Sequence, residues 1–84
     1  MNTFEEELRR LAEVSAKEFV DQINKDINLK NKIQTWYQKD YKLENIKEMG
    51  IYHSKDQLII INIFQQNKLF MITTTMGHLL DILK

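Results

Sequence analysis

The chain contains no cysteine and no proline, and only two glycines in 84 residues. Without cysteine there are no disulfides and no thiolate metal sites. Phosphate-binding loops need clustered glycines, but Gly50 and Gly77 lie far apart and neither precedes a lysine–serine pair. The missing proline joins a bias towards lysine over arginine and towards Ile and Asn. That bias fits a low-GC genome, such as that of a bacterium or its phage. No apolar run approaches the ~20 residues needed to span a bilayer. The start, Met1-Asn2-Thr3-Phe4-Glu5-Glu6-Glu7, is negative and lacks the apolar run of a secretory signal. These absences lead us to expect a cytoplasmic protein with no membrane segment, and a single domain spanning 1–84.

Charge of one sign is also lacking, since twelve basic residues balance twelve acidic ones. Residues 1–27 carry seven acids against four bases, and residues 28–42 carry four lysines against one acid, Asp40. This polarity is too small to identify a partner.

What the sequence does contain is periodicity. Thr3-Phe4-Glu5-Glu6 has capping-box spacing. Apolar or small residues follow at Phe4, Leu8, Leu11, Ala12, Ser15, Ala16, Phe19, Val20, Ile23 and Ile27, the stripe of one amphipathic helix. Its polar side carries acid-before-base pairs four apart, such as Glu5/Arg9 and Asp21/Lys25. The stripe loses phase at 26-DINLKN-31, where Asp26 or Asn28 suits the cap of a second helix. Leu29, Ile33, Trp36 with Tyr37, and Tyr41 carry that helix to about residue 40.

Residues 43–53 read either as a short helix ending at Gly50 or as a strand. The strand is favoured, with Met49, Ile51 and His53 on one face and Ile46 and Tyr52 on the other. Residues 57–64 and 69–74 are strands dense in Ile and Phe, split by a two-residue or four-residue loop within 65–68. Met76, Leu79, Leu80 and Leu83 form a short last helix, with Thr74 or Thr75 as its cap. The expected fold is α+β: two N-terminal helices, a three-stranded antiparallel meander packed on the first of them, and a short C-terminal helix.

The hairpin raises a question of cover. Side chains alternate along a strand, so Ile59, Ile61, Ile63, Phe70 and Ile72 share one face and should be core. Leu58, Ile60, Asn62, Phe64, Leu69, Met71, Thr73 and Thr75 share the other. Its five apolar members would form a sticky patch if left in water. The last helix, the second helix or another protein must cover it.

No reactive constellation stands out. His53 and His78 sit in different elements without metal-ligand spacing. His53-Ser54-Lys55-Asp56 holds the letters of a hydrolase triad, but a triad converges from separate places in a fold. The four consecutive residues read as a turn.

We therefore expect a non-enzymatic protein-interaction module with no cofactor. One version is an inhibitor or adaptor of phage or mobile-element origin acting on a host protein, and another is a homodimer. The expected contact residues are Trp36, Tyr37 and Tyr41, with Phe64, Leu69 and Met71 as a second patch. Aromatic residues anchor interfaces because they bury large area at low entropic cost. The alternative is a nucleic-acid-binding regulator that uses 29-LKNKIQTWYQKDYK-42. Lys30, Lys32, Lys39 and Lys42 would meet phosphates, and the aromatics would stack on bases.

Overall fold

The computed structural model describes residues 3–84. They form α1 (Thr3–Leu11), α2 (Ala16–Lys25), α3 (Ile27–Asp40), β1 (Ile46–His53), β2 (Leu58–Gln65), β3 (Lys68–Thr75) and α4 (Met76–Leu83). The strands make an antiparallel sheet in the order β1-β2-β3, the expected meander. The α+β architecture and the order of its parts are as read from the sequence.

The expected first helix is two helices. Residues 12–15 leave the helical path, and Ser15 restarts it as the N-cap of α2, accepting from the Glu18 N–H at 3.2 Å. The stripe still serves both pieces, because Leu11, Ala16, Phe19, Val20 and Ile23 are all buried. Only one residue separates α2 from α3. Asp26 leaves helical geometry (φ −117°), and its carboxylate accepts from the N–H groups of Asn28 and Leu29 at 3.0 and 3.2 Å. A side-chain acceptor at this position typically contributes ~1 kcal/mol. Thr3, expected as the cap of the first helix, is itself the first residue of α1, and the residues before it lie outside the described ones.

Left-handed backbone at Lys42 (φ 54°) and Asn45 (φ 56°) turns the chain from α3 into β1. β2 and β3 are joined by the two-residue turn Gln66-Asn67, with Gln66 at φ 53°. Thr75 caps α4 by accepting from the His78 N–H at 3.2 Å.

One hydrophobic cluster holds these parts together. The sheet contributes Met49, Ile51, Ile59, Ile61 and Ile63, and every helix contributes at least one buried residue. α2 packs on β1 and β2, while α4 packs beside α3. Ile46 differs from the expected alternation. A bulge between Ile46 and Glu48 pairs Ile46 with Gln65 and turns it towards the core.

Candidate functional site

The cover question now has an answer. Every helix packs into the cluster on the Ile59/Ile61/Ile63 side. α4 places Met76, Leu79 and Leu83 in that same core, so it does not fold over the second face. The second face is left open.

Register defines this face row by row. Glu48, Phe64 and Leu69 lie side by side across the three strands. The next row is Gly50, Asn62 and Met71, and the third is Tyr52, Ile60 and Thr73. Tyr52 is 54% exposed, Phe64 45%, Leu69 53% and Met71 66%. Together these four present on the order of 400 Å², comparable to the largest apolar patch of an ordinary monomer. Sequence alternation had placed Phe64, Leu69 and Met71 together, and the structure bears out that juxtaposition. Tyr52 was missed as a member because residues 43–53 also read as a short helix, although its parity along a strand pointed to this face.

Within the patch, Glu48, Gly50, Tyr52, Asn62, Phe64 and Leu69 line a hollow of about 250 Å³. Gly50 lies under the Tyr52 side chain. A Cβ at this position would stand 2.6 Å from the Tyr52 ring, so the ring folds across the glycine. The Asn62 side-chain oxygen is shielded from water and has no hydrogen-bond partner among the described residues. Such an unmade bond costs about 1–3 kcal/mol.

The aromatic residues of α3 are not part of this patch and differ in exposure, although the Tyr37 and Tyr41 rings pack 5.7 Å apart. Tyr37 is buried in the core at 1% exposure, which removes it from the expected contact set. Its neighbour Trp36 points about 100° away around the helix and is half-buried, meeting Tyr37 and His78 edge-on at 4.9 and 5.2 Å. Tyr41 is exposed. The Tyr37 hydroxyl has no hydrogen-bond partner among the described residues, while Thr74 Oγ1 lies 3.0 Å from His78 Nδ1. Burial pushes the Tyr37 phenol above its ordinary value, opposed in part by the nearby Thr74 hydroxyl.

The expected basic segment is also divided. Lys32 and Lys39 join Asn28, Thr35, Trp36 and Lys84 around a groove of about 440 Å³ between α3 and α4. Lys30 is half-buried off this groove, and Lys42 lies in the loop beyond the helix. Lys32 Nζ already sits 4.1 Å from the centre of the Phe4 ring, and Lys84 is 3.4 Å from Asp81.

Elsewhere, the His53 ring donates through Nε2 to the backbone carbonyl of Asp56 at 3.1 Å. The contact closes a turn, and the Asp56 carboxylate takes no part in it. Among the described residues no three His, Cys, Asp or Glu side chains gather where a metal could bind. No described helix is long and apolar enough to cross a membrane. No family model matches the chain, and no curated protein or solved structure matches it at a significant level.

Proposed function

We propose that this chain is a non-enzymatic protein-binding module that works through the open face of its sheet. The observation that carries this reading is the uncovered Tyr52/Phe64/Leu69/Met71 patch, with all the described helices committed to the opposite face. The hollow beside Phe64 and Leu69 supports it. A partner that inserts an apolar side chain beside Phe64 would bury the patch. Tyr52 and Phe64 would be the anchors, because aromatic side chains at the centre of a contact dominate binding energy. An inhibitor or adaptor acting on a cytoplasmic host protein remains the form of this function that we favour.

Affinity capture from host extract tests it. Phe64→Ser combined with Met71→Ser should lose a stoichiometric partner that the natural chain retains, while Tyr41→Ala keeps it. An unchanged capture profile for the double variant, with the fold intact by circular dichroism, would overturn the reading. The groove holding Lys32, Lys39 and Trp36 supports a second reading, as a nucleic-acid-binding regulator. It expects retention on heparin at low salt that falls when Lys32 and Lys39 are replaced.

A further inference from the structure

We infer that two copies of this chain pair along β3, edge to edge and antiparallel, to form one six-stranded sheet. The inference concerns the backbone edge of β3, a surface distinct from the side-chain face proposed above to hold a partner.

Hydrogen-bond parity fixes which backbone groups are free. The β2–β3 register pairs Ile61 with Ile72 and Ile63 with Phe70, and the Met76 N–H continues the ladder to the Gln57 carbonyl at 3.2 Å. Bonded pairs alternate along an antiparallel ladder, so even-numbered β3 residues bond to β2. The N–H and C=O groups of Leu69, Met71 and Thr73 therefore point outward from the sheet, and no partner is found for them among the described residues.

The opposite edge is managed differently. The Ser54 N–H to Leu58 carbonyl bond places the even-numbered β1 residues on β2, leaving Met49, Ile51 and His53 outward. There the Asn24 side chain of α2 donates to the Ile51 carbonyl at 3.0 Å. β1 also carries Lys47 and Glu48, and its register is broken by the bulge. Charges, bulges and covering groups are the usual defences of an exposed edge. β3 has none along 69-LFMITTT-75, and its one charge, Lys68, stands at the turn.

The sequence of β3 is self-complementary. A two-fold axis normal to the sheet keeps each residue's face, so facing residues must share parity. Centring the axis on Met71 sets Met71 against its own copy, Leu69 against Thr73, and Phe70 against Ile72. No charges oppose each other. Phe70 lies on the helix side of the sheet yet is 37% exposed, because β3 is the last strand and nothing flanks it. A second copy supplies the flank through its Ile72. The pairing forms roughly six backbone hydrogen bonds and buries on the order of 1,000 Å² in total, about the lower bound for a specific interface. It is therefore a concentration-dependent dimer.

Sedimentation equilibrium and amide exchange on the full chain, from micromolar to millimolar concentration, test the pairing. The expected mass rises from 10.1 kDa to about twice that value with concentration. Exchange at the Leu69, Met71 and Thr73 amides should slow at least tenfold between the two ends of the range. Thr73→Pro removes an N–H that the fold does not use, and should hold the chain at the monomer mass. Phe70→Lys should do the same by adding the missing charge. A constant 10.1 kDa for the natural chain overturns the inference, including the case in which only a foreign strand fits the edge. So does a dimer whose three amides exchange freely, which would point to face-to-face contact. These readings on the natural chain stand even if a variant fails to fold, and none of them depends on the partner proposed for the open face.

Discussion

The two faces of this sheet are built from similar side chains and meet opposite fates. Ile59, Ile61 and Ile63 alternate along β2 with Leu58, Ile60, Asn62 and Phe64. The first set is fully buried, while the second runs from half-buried to openly exposed. Apolar composition alone did not decide which face became core. The difference lies in what packs against each face, and every described helix packs against one. Stability should therefore be concentrated on the inner face and binding on the outer.

The comparison breaks most sharply at its centre. Ile61→Ala leaves a cavity in the middle of the core and should cost about 2–4 kcal/mol, read from chemical denaturation. A smaller loss should come at high pH through Tyr37. Its phenol stays neutral to a higher pH in the fold than in the unfolded chain, because burial disfavours the charge. Stability should be intact below the ordinary tyrosine value of ~10 and fall as pH climbs through the folded-state value. Tyr37→Phe should remove that part of the alkaline loss, measured as the midpoint difference between pH 9 and pH 11.

On the outer face the sign should reverse. Asn62→Val deletes the unpaired oxygen and should stabilise the fold by about 1 kcal/mol, read from chemical denaturation. An unchanged midpoint would show that burying this oxygen carries no cost. The smallest effect belongs to Met71→Ser, where the side chain is already 66% exposed. Its stability change should stay within about 0.5 kcal/mol, with improved solubility in a concentration series.

Much of this comparison was legible beforehand, and the exceptions have physical causes. Alternation along 58–64 and 69–74 sorted the inner and outer residues because the side-chain period of a strand is fixed. The break at 12–15 was missed because Ala12, Ser15 and Ala16 keep the helical spacing across it. The signal was nevertheless present, since Ser15 and Glu18 have the spacing of a capping box. Tyr37 and Trp36 could not be told apart by composition. Adjacent positions on a helix point about 100° apart, and only packing shows that Tyr37 takes the inward one. The openness of the second face is a tertiary property. It depends on where α4 docks, and no pattern within the sheet encodes that.

The meander order has a consequence in time. β1 meets β2 through a short turn at residues 54–57, and β2 meets β3 through Gln66-Asn67. Pairings this close in sequence cost little loop-closure entropy, and hairpins of this kind form in roughly 1–10 μs. Hairpin closure of this kind needs no long-range search, and the sheet is stabilised by the helices that pack on one of its faces. The face they leave unused is already assembled when folding ends, so a partner would meet a rigid surface and would not have to order one.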